Sequence, residues 1–318
     1  MKSILKKVAG VAVAAVIALG MFSCSNGIDY PVKETVATPA FSVASGAVNS
    51  GTKVEITCAT EGAKIYYTTD DSDPTASSTE YKAAISVMEA VTLKAIAIKD
   101  GMNDSAVASA NYTIKPDYSK CAVGDFVLKD GTILSKNETP ESGKVAAVIV
   151  RAAANGKPAL GVGIVHKTSA WCTESAAGYN TNITSLQGDK TSDYMDGSDG
   201  WELLKAACSD AASNPENYPA WNYSLTYAKN NGLTGDLATG WYLPTVAELY
   251  TIYQNKAAVE ASLSKAGGST FGTSWYWSCC QYPSGNIYAR GQMFSSGTTD
   301  TCNKNLDYKY VCSVRAFN

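Results

Sequence analysis

Trp241-Tyr242-Leu243-Pro244-Thr245-Val246-Ala247-Glu248 opens the C-terminal run of this chain, and Val314-Arg315-Ala316-Phe317 closes it. Between them lies Trp275-Tyr276-Trp277-Ser278, then a segment in which steady residues alternate with oddly assorted ones. Thr245 with Glu248 three residues later is a capping box: the hydroxyl serves an orphan helical N–H, and the carboxylate reaches back to the Thr N–H. A helix therefore opens at Thr245, with Val246, Leu249, Tyr250 and Tyr253 along one face. A further helix over 256–266 is predicted to stop at Gly267-Gly268, where a left-handed residue ends it. Beyond Gly272 the pattern returns to strands over 274–278, 288–294 and 310–317, joined by loops over 281–287 and 295–309. Loops raised on a sheet are where binding residues sit, because they vary without touching the core.

This frame resembles the C-terminal part of C-type-lectin-like domains of the formylglycine-generating-enzyme type. More narrowly, it is similar to the variable proteins of diversity-generating retroelements, in which a fixed scaffold ends in a surface mutated wholesale. The resemblance implies an α+β C-type-lectin-like domain over 116–318, a binding role, and a candidate variable region over 275–317. In that family mutagenesis acts at template adenines, typically in asparagine codons, and cannot yield Gln, Lys, Met, Trp or Glu. Residues of the excluded types are Trp275, Trp277, Gln281, Gln292, Met293, Lys304 and Lys309, which are expected to be scaffold. Between them sit Tyr282, Ser284, Gly285, Asn286, Tyr288, Arg290, Thr298, Asp300, Cys302, Asn303, Leu306 and Asp307, all of allowed types. These are the candidate ligand-binding residues. Loops are ordinarily rich in such small polar types, so composition alone adds little. If side chains alternate along 288–294, Tyr288 and Arg290 share one face and Ala289 the other. Tyr282, Asn286, Asp300, Cys302, Asn303, Leu306 and Asp307 are expected on the same exposed patch. Trp241 and Trp277 read as core rather than sugar platforms.

Working back from this region, 123–132 reads as a hairpin around Asp130-Gly131. The apolar runs 145–150 and 160–165 are short enough to be core strands. The stretch 173–199 is polar and rich in Gly, Ser, Thr and Asn, so it is expected to wander over the surface. Helices are predicted over 200–212, with Leu203, Leu204 and Ala207 on one side, and over 222–229.

The preceding segment, 37–115, reads as all-β. Strands at 54–58, 64–68 and 91–97 are punctuated by Asn49-Ser50-Gly51, Asp70-Asp71-Ser72-Asp73-Pro74 and Asp100-Gly101. Short strands at this spacing argue a small immunoglobulin-like sandwich. The run from Ile65 to Thr75, with Tyr81 following, resembles the immunoglobulin-like domain at the C-terminus of chitobiases and hexosaminidases. It departs at Asp71, where Gly is usual. The Asp cluster lacks EF-hand spacing and reads as Asx-turn chemistry rather than a calcium site. The resemblance implies a spacer or auxiliary module.

At the amino terminus, Lys2, Lys6 and Lys7 precede an apolar run over 8–19 that is too short for a comfortable membrane span. Gly20-Met21-Phe22-Ser23-Cys24 then resembles a bacterial lipobox, with Met21 where Leu is commoner. This implies a signal peptide over 1–23, acylation at Cys24, and a tether through residue 36. Two or more acyl chains anchor stably, since each buried methylene contributes about 0.8 kcal/mol. The expected location is the bacterial outer membrane or cell surface.

An exported chain permits disulfides among the remaining eight cysteines, Cys58, Cys121, Cys172, Cys208, Cys279, Cys280, Cys302 and Cys312. Many connectivities are open, and Cys172 with Cys208 is one of them. No C-x-x-C pair points to zinc or to thioredoxin-like chemistry. A net charge of −3 gives no basic footprint, so nucleic acid is not the expected partner. An enzyme of the formylglycine-generating type needs an activated thiol. Cys279, Cys280 and Cys312 have only Arg290 and Arg315 near in sequence, and the lone His166 lies far off. Adjacent cysteines on a strand are also expected to face opposite ways. No paired carboxylates, phosphate loop or serine elbow occur. The expectation is a binder without catalytic residues, metal or cofactor, taking a protein or glycan ligand on another cell or host surface. The alternative is a fixed-specificity carbohydrate-binding adhesin, and behind it a formylglycine-generating-type oxidase.

Overall fold

The computed structural model describes residues 32–191 and 197–318. The signal segment and Cys24 lie outside the described residues. By packing, the chain divides into two units: one runs up to Ser45 and takes Lys53–Ile85 and Val91–Asn111. The other takes Gly46–Thr52, Ser86–Ala90 and Tyr112–Asn318.

The N-terminal strands are β1 (Ala40–Phe41), β2 (Gly46–Val48), β3 (Thr52–Val54), β4 (Ile56–Thr57), β5 (Lys64–Thr68), β6 (Thr79–Glu80), β7 (Ile85–Val87), β8 (Val91–Ile98) and β9 (Ala108–Ile114). They form a sheet in the order β2-β9-β8-β5-β6 and two small pairs, β1-β4 and β3-β7. Along β8 the alternation is regular, with Leu93, Ala95 and Ala97 buried and their neighbours half-exposed. The turn after β5 holds Asp71 at φ +64°, so an aspartate adopts the left-handed conformation that glycine usually takes. Asp70 accepts from Ser72 N–H at 3.2 Å and from its hydroxyl at 2.5 Å, which is an Asx turn. Those hydrogen bonds hold the Asp70 carboxyl below its ordinary range. Lys94 donates to the Asp71 carbonyl at 2.7 Å and to Asp73 Oδ1 at 3.1 Å, so a lysine occupies the centre of the acidic cluster.

Beyond Ile114 the second unit mixes strands and helices. Its strands are β10 (Phe126–Leu128), β11 (Ile133–Leu134), β12 (Val145–Arg151), β13 (Ala159–Gly163), β14 (Lys167–Thr168), β15 (Trp241–Tyr242), β16 (Trp275–Gln281), β17 (Tyr288–Met293), β18 (Thr299–Asn303), β19 (Tyr310–Val311) and β20 (Val314–Phe317). Its helices are α1 (Gly200–Ala207), α2 (Pro219–Leu225), α3 (Tyr227–Asn230), α4 (Val246–Gln254) and α5 (Lys256–Lys265). One sheet runs β11-β10-β12-β13-β20-β15, and the other β14-β19-β16-β17-β18. The closing strand β20 lies between β13 and β15 and pairs antiparallel with both. Strand β12 is buried on both faces, as its unbroken apolar run requires.

Helix α4 carries both halves of the capping box: Glu248 N–H donates to Thr245 Oγ1 at 3.1 Å, and Thr245 N–H to Glu248 Oε2 at 2.8 Å. The other carboxylate oxygen takes the Tyr242 hydroxyl at 2.8 Å. Leu249 and Ile252 of α4, with Val259 and Leu263 of α5, bury against Val148, Val150, Tyr276 and Phe294. Gly267 ends α5 at φ +67°. Gly163 is required by contact: a Cβ there would sit 2.3 Å from Tyr227 Cζ.

Four sequence expectations are corrected. Residues 310–317 are two strands in different sheets, because the chain turns at Cys312-Ser313 from β16 and β14 toward β13. The stretch 295–309 contains the edge strand β18, held only by β17. The predicted helix over 222–229 begins earlier, with Pro219 in its first turn, and breaks at Thr226 into α2 and α3. All eight described cysteines are free, Cys172 and Cys208 included, although these two share one buried cluster.

Candidate functional site

The site is built on β16, β17 and β18 and the loops between them. Strands β16 and β17 pair as Trp275↔Met293, Tyr276↔Gln292 and Trp277↔Gly291, then a bulge carries the register to Gln281↔Ala289. Strands β17 and β18 pair without interruption, from Tyr288↔Asn303 to Gln292↔Thr299. Directly paired residues point to the same side. Tyr288, Arg290, Thr301 and Asn303 therefore share one face, and Ala289, Gly291, Asp300 and Cys302 the other.

None of the twelve candidate residues is buried. Ser284, Asn286, Tyr288, Thr298, Asp300 and Asp307 are exposed; Tyr282, Gly285, Arg290, Cys302, Asn303 and Leu306 are half-buried. The residues of excluded type behave differently. Trp277, Gln281, Gln292, Lys304 and Lys309 are buried, while Trp275 and Met293 are half-buried.

The buried polar scaffold residues hold the surrounding loops by their backbone. Gln281 Oε1 accepts from Ile183 N–H at 2.9 Å, and its amide nitrogen donates to Thr181 O at 2.9 Å and Asn286 O at 3.3 Å. Lys304 Nζ donates to Gly178 O at 2.6 Å and Thr181 O at 3.3 Å, and lies 4.9 Å from the centre of the Trp171 ring. Burial lowers the Lys304 amine to about 8, with nearby Cys172 and Cys208 working the other way. Together Gln281 and Lys304 pin 178–183, part of the long polar excursion, beneath the site.

On the Tyr288 face, the Arg290 guanidinium lies 5.4 Å from the centre of the Tyr282 ring. A Cβ on Gly285 would fall 2.6 Å from Tyr288 Cδ2, so the glycine lets the Tyr288 ring rest on the loop. The single patch expected from sequence is divided by the register of β18. Asp300 and Cys302 lie on the face opposite Tyr288 and Arg290, and Cys302 and Leu306 pack against the buried cluster around Trp277 and Ala289. Asn303 stays on the Tyr288 side and accepts from the Tyr179 hydroxyl at 3.2 Å. Tyr308, which the sequence reading passed over, is 62% exposed beside these residues. Its only signal was its place between Asp307 and Lys309.

The cysteines of the bulge also correct an expectation. Cys279 and Cys280 lie in one buried cluster and hydrogen-bond to each other, because the bulge breaks the strand's alternation. Burial raises the Cys279 thiol, whereas the hydrogen bond from Cys279 lowers Cys280, which also lies 3.5 Å from the Val246 N–H. Burial pushes Cys312 up as well. His166 is buried with Nδ1 2.8 Å from the Tyr276 hydroxyl and Nε2 3.2 Å from Gly163 O, and burial lowers it to about 3. Among the described residues, no cluster of three or more His, Cys, Asp or Glu is placed to hold a metal ion. None of the described helices is long and apolar enough to cross a membrane.

Residues 43–109 match the chitobiase/beta-hexosaminidase C-terminal domain family. The N-terminal segment holds a β-sandwich domain of that type. Among solved structures, a fimbrial protein from Bacteroides ovatus is similar, at 12% identity and a TM-score of 0.48. The match covers 89% of this chain and 70% of that one. No curated protein matches this sequence.

Proposed function

We infer that the second unit is a C-type-lectin-like recognition domain of the kind diversified by retroelements, displayed by a lipid-anchored surface protein with the β-sandwich as spacer. One observation carries this reading. Between Trp275 and Lys309, the long polar residues that adenine mutagenesis cannot produce are Gln281, Gln292, Lys304 and Lys309, and all four are buried. Lys in particular is almost never fully buried without a reason, and Gln is mostly exposed. The twelve candidate residues are exposed or half-exposed, although Tyr276, Ser278, Cys279, Cys280 and Gly291, also of producible types, are buried. Ordinary loop composition explains small polar residues outside; it does not explain long polar residues inside. The unit acts as a binder, with the thiols of Cys279, Cys280 and Cys312 serving the core.

The test is a comparison of sister sequences from the same locus, together with a search beside it for a near-repeat of the 3′ end and a reverse transcriptase gene. Substitutions should concentrate at Tyr288, Arg290, Asp307 and the other candidate positions. If Gln292, Lys304 and Lys309 vary as often, diversification is wrong and a fixed carbohydrate-binding adhesin is the reading left.

A further inference from the structure

Two lysines of the final segment are buried, and their ammonium groups are treated very differently. Lys304 donates to backbone carbonyls, so its charge is spent inside the fold. Lys309 is only 2% exposed, and among the described residues its Nζ makes neither a hydrogen bond nor an ion pair. Three aromatic rings surround it instead: Nζ lies 4.4 Å from the centre of Trp275, 5.5 Å from Trp277 and 5.4 Å from Tyr308. Ring faces attract a cation, yet they accept none of its three N–H donors in the directional sense that an oxygen does. The side chain is buried, but the tip of the ammonium still meets solvent, so its donors are left to water rather than to a protein acceptor.

The surroundings say what could take the place of that water. Trp277 is sealed in the core, where its indole N–H donates to Ser169 O at 2.9 Å. Trp275 is half-buried, and Tyr308 stands 62% exposed, so the cage is closed below and open above. The exposed acid on this sheet face, Asp300, is opposite Gly291 and directs its carboxylate to the Thr301 N–H at 2.7 Å rather than to Lys309. An ammonium that no protein acceptor holds takes an anionic oxygen through a shorter and stronger bond than a neutral one. An exposed tyrosine beside it offers an apolar face to a ring of C–H bonds.

We propose that Lys309, Trp275 and Tyr308 form a subsite for the carboxylate of an acidic sugar, with the sugar ring lying on Tyr308. Lys309 and Trp275 are of types that adenine mutagenesis cannot produce, so this part of the subsite is a constant anchor, whereas Tyr308 is of a type it can produce. Its constancy rests on the diversification reading; its binding does not.

The probes are methyl β-D-glucuronide and methyl β-D-glucoside, which differ in the carboxylate, and an acetylated Glu-containing tripeptide amide. Each is titrated into the 15N-labelled chain while the tryptophan indole signals are followed. The glucuronide should shift the Trp275 and Trp277 signals and bind at least tenfold more tightly than the glucoside. Lys309→Met, which keeps the cage filled, should abolish the difference. Tyr308→Ala, at an exposed position where folding is not at risk, should weaken the glucuronide at least threefold. Equal binding of the two glycosides, or unchanged glucuronide binding by Tyr308→Ala, overturns the proposal. A tripeptide that binds more tightly than the glucuronide overturns it in favour of a protein ligand, and so does silence from every probe in favour of a purely structural lysine. None of these outcomes bears on whether the locus is diversified.

Discussion

Trp277 and Tyr288 sit within one sheet and should respond to truncation in opposite ways. Trp277 is fully buried, and its indole N–H is bonded to Ser169 O at 2.9 Å. Replacing it with Ala removes a core ring and orphans that carbonyl, at a cost of about 3–5 kcal/mol. For a unit of about 200 residues each kcal/mol lowers the melting temperature by roughly 2–4 °C, so a fall of about 6–20 °C is expected. Tyr288 is 39% exposed, and its ring rests on Gly285. Its replacement should cost about 0.5 kcal/mol and move the melting temperature by no more than ~2 °C. The same change should weaken binding of the native ligand more than tenfold, since exposed Tyr and Arg are frequent hot spots. Intrinsic tryptophan fluorescence is the assay, because all six tryptophans, from Trp171 to Trp277, belong to the second unit and five remain in the variant. Loss of comparable stability by Tyr288→Ala would refute the division into scaffold and surface.

His166 is neutral in the fold, with burial lowering it from 6.5 to about 3. The unfolded chain therefore binds the extra proton between those values, and stability falls with acidification from about pH 6.5 toward 3, by roughly 1.4 kcal/mol per unit. Urea denaturation of wild type and His166→Gln across this range should show that slope in the difference between the two curves, where carboxylate contributions cancel. Gly163→Ala should destabilise by about 1–3 kcal/mol or more, because the new methyl would lie 2.3 Å from the buried Tyr227 ring; an unchanged denaturation midpoint would count against the packing described. Cys24→Ala should release the protein from the membrane fraction with loss of acyl label, and retention with label intact would exclude anchoring there.

Helix α4 was legible because its capping box is local: two side chains three residues apart specify its start whatever packs around it. The core strand β12 was legible because six consecutive apolar residues leave few alternatives. Strand β18 was not, since Thr-Asp-Thr-Cys-Asn has no apolar alternation and exists as a strand only because β17 offers it a free edge. The break at Cys312-Ser313 was hidden for a related reason. Both halves of 310–317 read as strand, and what separates them is pairing with β14 and β16 on one side and β13 on the other. The bulge that aligns Cys279 with Cys280 likewise depends on a register set by the partner strand. At the site, the Gln and Lys positions were legible as buried, but Tyr276, Ser278 and Gly291, of types shared with the exposed residues, are buried too, and the face on which Cys302 lies depends on β18, which the sequence did not reveal.

The geometry of the buried polar residues explains how such a surface tolerates change. Gln281 and Lys304 bond to Gly178 O, Thr181 O, Ile183 N and Asn286 O, all of them backbone atoms. Backbone donors and acceptors are the same whichever side chain a position carries. A substitution at Asn286 leaves its carbonyl in place for Gln281, and one at Asn303 leaves the Lys304 N–H bond to Ile287 O, at 2.9 Å, untouched. Cys302 and Leu306 are the exceptions, since their side chains pack against the buried cluster. Variation there is coupled to stability, whereas at Tyr288, Ser284 and Asp307 it is not. The two faces of the β17-β18 pair thus differ in kind: the side bearing Tyr288 can change its chemistry without touching the core, and the side bearing Cys302 answers to the core.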